Sequence, residues 1–76
     1  MELPLVQLGE GERGVVTRVI GGVGMSYHLG ALGIRGGKIL TVVARHPFGG
    51  PVVIEIDGRA ITIGRGIAAR IWVEKK

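Results

Sequence analysis

Seventy-six residues and a mass of 8.0 kDa leave room for one domain, residues 1–76, with no linker or internal repeat. Hydrophobic residues make up 46% and charged residues 21%, the opposite of a disordered balance. Fifteen glycines without a three-residue period exclude collagen and favour short strands joined by tight turns, and the absence of cysteine excludes disulfides, thiolate metal sites and a cysteine nucleophile.

In chain order, residues 6–14 read as an opening loop and residues 15–20 as a first strand. Its alternation is broken by the apolar pairs Val15-Val16 and Val19-Ile20, as a bulge or a doubly covered strand would produce. Glycines 21, 22 and 24 then break the strand. Residues 25–32 form the one helical segment, with Met25, His28, Leu29 and Leu32 spaced along one face, Ser26 near its cap and Gly33 ending it. A second strand spans 38–45, and a loop with two prolines and two glycines spans 46–51. Residues 52–57 alternate, and Asp57-Gly58 signals a hairpin into a strand at 60–64. Ile54, Ile56, Ile61 and Ile63 are then expected to share a buried face. Gly64-Arg65-Gly66 reads as another turn, and residues 71–73 as a closing strand. The fold class expected is mainly β: a small barrel of about five strands with a short helical insert.

The motifs that would carry chemistry are incomplete. Gly22-x-Gly24 lacks the third glycine of a dinucleotide fingerprint, where Tyr27 stands, and Gly37-Lys38 lacks both the leading glycine and the hydroxyl of a phosphate loop. His28 and His46 show no carboxylates clustered with them, so no metal site and no cofactor are expected. One serine and three scattered threonines offer no nucleophile–base pair, and Glu55 with Asp57 read as solvated strand residues, so no enzyme is expected. Ten Lys and Arg against six Asp and Glu give a net charge of +4 and a pI near 10.4, compatible with RNA. With only three aromatic residues and scattered cations, however, no nucleic-acid partner is expected. The N-terminus lacks the basic start and apolar stretch of a signal peptide, and runs such as Val42-Val43-Ala44 are too short to span a bilayer. The expectation is a cytoplasmic protein that is not membrane-embedded. Trp72, between Ile71 and Val73, points outward by alternation, either as a binding anchor or folded over the barrel rim.

Four segments together resemble the FeoA family, ferrous iron transport protein A, over nearly the whole chain. They are Gly11-x-x-Gly14-x-Val16-x-x-Val19-x-Gly21-Gly22, His28-Leu29-x-x-Leu32-Gly33-Ile34-x-x-Gly37, Pro47-Phe48-Gly49-Gly50-Pro51-Val52 and Ile71-Trp72-Val73-Glu74. The resemblance implies an SH3-like barrel with a helical insert. It also implies an accessory protein that acts on the ferrous iron transporter FeoB, which carries a cytoplasmic GTP-binding domain. The alternative is a small-barrel RNA-binding module; a relative of the C-terminal barrel of metal-dependent repressors is a third reading, without the helix-turn-helix that DNA binding needs. On the docking reading, the contact surface is expected at the helix end and the neighbouring loop: Tyr27, His28, Ala31 and Phe48. Arg65, between glycines, is the first candidate for an arginine presented to a GTP-hydrolysis transition state, and Arg35 the second. The positive mean hydropathy of +0.41 suggests apolar surface left for a partner, and weak self-association is compatible with it.

Overall fold

β-Branched segments punctuated by glycine turns fold here into one antiparallel sheet. The computed structural model describes all residues, Met1–Lys76. Six strands, β1 (Glu2–Pro4), β2 (Arg13–Val19), β3 (Ile39–Arg45), β4 (Val52–Ile56), β5 (Arg59–Ile63) and β6 (Ile71–Lys75), lie in the order β1-β6-β2-β3-β4-β5. Helix α1 (Gly22–Ala31) joins β2 to β3, and the single-turn helix α2 (Arg65–Ala68) leads from β5 to β6. The edge strands β1 and β5 do not pair with each other. Instead α2, just after β5, packs on the 3-10 turn Leu5–Gln7, just after β1. The curled sheet is thus barrel-like, sealed by helical turns in place of a last strand pair.

Six strands replace the expected five. The strand missed is β1, too short to show alternation, with Pro4 tolerated because it lies on a sheet edge. It pairs with β6 through Glu2↔Glu74, Leu3↔Val73 and Pro4↔Trp72. The expected opening loop also contributes to the core through Leu8, which is fully buried just past the 3-10 turn, as is Leu5 at the start of that turn. β6 therefore closes nothing: it lies between β1 and β2.

The broken alternation of the first strand is a bulge at Thr17. Val16 faces Val73 and Arg18 faces Trp72, so β2 spends one extra residue before Val19 meets Ile71. A second bulge at Val43 separates the Val42↔Ile54 and Ala44↔Val53 pairs of β3 and β4. The β4–β5 hairpin turns through Asp57 (φ 53°) and Gly58 (φ 76°), the left-handed pair of a two-residue type I′ turn. Its register, Ile54↔Ile61 and Val52↔Ile63, puts the isoleucines on one face as expected. Ile54, Ile56 and Ile63 are buried, but Ile61 is only half-buried because β5 has no strand beyond it. At Gly14 a Cβ would stand 3.0 Å from the Val73 side chain and 3.3 Å from the Glu74 carbonyl, so glycine lets β2 and β6 approach.

Helix α1 starts three residues before the expected Met25. Gly21 (φ 141°) and Gly22 (φ 84°) reverse the chain directly off β2, so the glycines that break the strand also launch the helix. Ser26 consequently lies inside the helix, and no side chain caps its start. At the other end Gly33 (φ 91°) closes a Schellman motif. Its N–H donates to the Gly30 carbonyl (3.0 Å) and the Ile34 N–H to the Leu29 carbonyl (2.9 Å), with Leu29 and Ile34 both buried. The Gly64-Arg65-Gly66 turn is the start of α2, whose buried Ala68 anchors it to the core.

Candidate functional site

Helix α1 meets the core through Leu29, with Met25 and Leu32 half-buried beside it. His28 does not share that face; it is exposed. The opposite stripe, Val23, Tyr27 and Ala31, has the i, i+4, i+8 spacing of a single helix face and points outward. Val23 is 88% and Tyr27 80% exposed. Two shallow grooves flank the Tyr27 ring. One is lined by Val19, Gly22, Val23, Ser26 and Tyr27, and the other by Tyr27, Gly30, Ala31 and Arg35. Three of the residues expected in a docking surface, Tyr27, Ala31 and Arg35, thus line one groove, with His28 on the same helix. Val23 was not among them. Its signal in the sequence was its position four before Tyr27, legible only once the helix is known to begin at Gly22.

Arginines surround this helix. Arg35 Nη1 lies 3.5 Å from the Gly30 carbonyl and Arg59 Nη2 donates to the Leu32 carbonyl at 2.7 Å, both at the negative end of the helix dipole. The Arg70 guanidinium borders Gly21 at the other end, 3.5 Å from where a Cβ would stand. From residue 13 to residue 54 the chain has no acidic residue at all. Of the ten Lys and Arg, only Arg18, Lys38 and Lys75 pair with carboxylates: Arg18 with Glu2 at 3.1 Å, Lys38 with Asp57 at 2.7 Å and Lys75 with Glu12. The others leave a basic surface without local compensation. The three carboxyls involved are held below their ordinary range: Glu2 first by the Thr17 hydroxyl, Glu12 first by Lys75 and then by the Gly9 N–H, and Asp57 first by Lys38.

Phe48 does not join the helix groove. It stands in the 46–51 loop at the far end of β3 from Arg35, roughly 20 Å of strand away at about 3.3 Å per residue. With Tyr27 and Phe48 both exposed, loop and helix do not pack on each other as a satellite core, and Phe48 lines neither groove. The loop's neighbour is Arg65, whose Cδ and Nη1 lie 3.3 Å from where a Cβ on Gly49 would stand. Trp72 points outward as expected but is half-buried: the Arg18 guanidinium sits 4.9 Å from its ring centroid, and Glu2 accepts from Arg18 Nε at 3.2 Å. Neither histidine belongs to a group of three or more side chains able to hold a metal ion. No helix is long and apolar enough to cross a membrane.

The fold is thus a small, open-edged barrel that presents an apolar helix stripe in basic surroundings. The pattern of the FeoA domain matches residues 3–75. The chain is 39% identical over 71 residues to "Putative Fe(2+) transport protein A" of Methanocaldococcus jannaschii, covering 93% of this chain and 84% of that one. A crystal structure of an iron uptake regulatory protein (FeoA) superposes with a TM-score of 0.92 at 34% identity, each chain covered in full. The FeoA protein from Chlorobium tepidum gives 0.87 at 30% identity, covering 96% of this chain and 70% of that one. A manganese-dependent transcriptional repressor gives 0.88 at 28% identity over 99% of this chain, which matches only 42% of the repressor. The protein belongs to the FeoA domain family.

Proposed function

We propose that this protein is a cytoplasmic, non-enzymatic accessory factor of iron(II) uptake that docks on the GTP-binding domain of the transporter FeoB and modulates its activity. The observation that carries the reading is the Val23–Tyr27–Ala31 stripe, apolar, exposed and flanked by arginines, on a family member whose relatives are named for Fe(2+) transport. Docking needs surface of this kind and no reactive group. Tyr27 is the expected anchor, since it stands between both grooves. In a binding isotherm against the transporter's cytoplasmic domain, wild type should saturate and Tyr27→Ala should bind about tenfold or more weakly. Absence of binding at saturating concentration would overturn docking, and salt-dependent binding to RNA with none to the transporter domain would put the RNA-binding alternative in its place.

Modulation has two forms that one measurement separates. If an arginine enters the partner's transition state, Arg65→Ala or Arg35→Ala should lower stimulated GTP turnover by a large part of the ~10³–10⁵-fold such groups contribute elsewhere. Arg65 is the better placed, at the open start of α2 where both flanking glycines have free space around them. Arg35 is already turned toward the Gly30 carbonyl. Equal turnover in wild type and both variants, with binding intact, would leave conformational stabilisation as the mode of action.

A further inference from the structure

We infer that Phe48, carried on a preorganised loop, is a second anchor that inserts into an apolar pocket on the partner protein whose rim carries carboxylates. The inference rests on the docking reading and adds to it a contact point remote from helix α1. Phe48 holds φ at 59°, a left-handed conformation that a bulky side chain seldom adopts, and its side chain is 103% exposed. Within the fold neither feature gains anything: the ring packs on no neighbour, and a glycine there would remove the strain. A strained residue carrying an aromatic ring into water is explained by a contact made outside the chain.

The backbone that carries the ring is constrained. Pro47 and Pro51 limit its backbone, the Gly50 N–H donates to the Pro47 carbonyl (3.2 Å) and the His46 N–H to the Pro51 carbonyl (3.1 Å). Gly49, at φ 73°, turns the chain immediately behind the ring, with the Arg65 side chain lying across it. Little backbone freedom of the loop therefore remains to be lost on binding, which lowers the cost of presenting an aromatic side chain to an interface. The charges around it define the rim. Arg65 and Arg45 have no carboxylate partner for their guanidinium groups; the Glu10 carboxylate accepts instead from the Arg45 backbone N–H at 3.0 Å. The complementary surface is an apolar pocket bordered by acidic side chains.

The test is a titration of the full-length transporter in lipid nanodiscs with wild type, Phe48→Ser, Phe48→Leu, Phe48→Gly and Arg65→Glu, with protein-free nanodiscs of the same lipid in parallel. The variants at Phe48 should melt at or above the wild-type temperature, Phe48→Gly highest. Phe48→Ser and Phe48→Gly should weaken binding to the transporter by about tenfold or more, Phe48→Leu by less, and Arg65→Glu should weaken it most at low salt. Wild-type affinity in Phe48→Ser would overturn the anchor while leaving docking intact. Failure of wild type itself to bind would overturn docking and the anchor with it. Equal, Phe48-dependent binding to protein-free nanodiscs would overturn the protein pocket in favour of the lipid surface.

Discussion

Gly14 illustrates how a single position in this chain is decided by contacts from a distant segment. Its missing Cβ is what lets β2 lie against Val73 of β6, so Gly14→Ala should destabilise by about 1–3 kcal/mol through overpacking, read as a lower thermal midpoint. Ile56 makes the converse case. Fully buried in β4, it should cost on the order of 2–5 kcal/mol when cut to alanine, whereas Ile61→Ala should cost clearly less because Ile61 is half-exposed on the edge strand. Denaturant melts of the two variants, compared at equal m-value, check the register of the hairpin; equal losses would contradict it. Trp72 shows a side chain whose direction follows from alternation while its environment does not. Nothing in Ile71-Trp72-Val73 announces that Arg18 will cover the ring, because the bulge at Thr17 sets that pairing.

Two kinds of element differ in how far their own residues explain them. The β4–β5 hairpin is locally specified, with an alternating strand, an Asp57-Gly58 turn and a second strand whose isoleucines match the first. Helix α1 is specified at its end more than at its start. Gly33 and Ile34 form a Schellman cap around Leu29, but the start depends on Gly21 and Gly22 adopting positive φ as the chain leaves β2. With glycines at 22, 24 and 30, the helix has poor intrinsic propensity and depends on packing. Gly24→Ala and Gly30→Ala, whose Cβ atoms would meet no neighbouring atom within 4 Å, should each stabilise by roughly 0.5–1 kcal/mol. A fall in melting temperature for either would mean that the helix does not sit as described.

Across the molecule the carboxylates act as ties between elements distant in sequence: Glu2 to β2, Glu12 to the end of β6, Asp57 to the segment preceding β3. All three have their pKa lowered in the folded state, from ordinary values of 4.5 for Glu2 and Glu12 and 3.8 for Asp57. A carboxyl depressed on folding contributes stability above its ordinary value and loses it as pH falls through the folded one. Stability should therefore be flat from neutral pH down to about 5 and decline below it, with Asp57→Asn flattening part of that decline. Asparagine keeps the left-handed turn while removing the partner of Lys38, so the pH profile reports the ion pair separately from the hairpin. A profile unchanged by the substitution would mean the pair contributes nothing in solution.

Glycine content, β-branched segments and turn pairs already specify a mainly β barrel with one helical insert, because turn chemistry and alternation are properties of neighbouring residues. The four family segments are likewise written in local order. Strand β1, the burial of Leu5 and Leu8, the closure through α2 and the half-exposure of Ile61 were decided elsewhere, by which strands become edges and what covers them. The docking candidates divide in the same way. Tyr27, Ala31 and Arg35 come together because helical spacing and the turn that follows it are local, and the groove between them is nearly implicit in the chain. Phe48 was expected beside them even with a strand read at 38–45, because the direction in which that strand leaves the helix end is not written in its residues. A seven-residue strand carries it to the far end of the sheet, since a strand extends by about 3.3 Å per residue and no pattern within the loop encodes what it will stand beside.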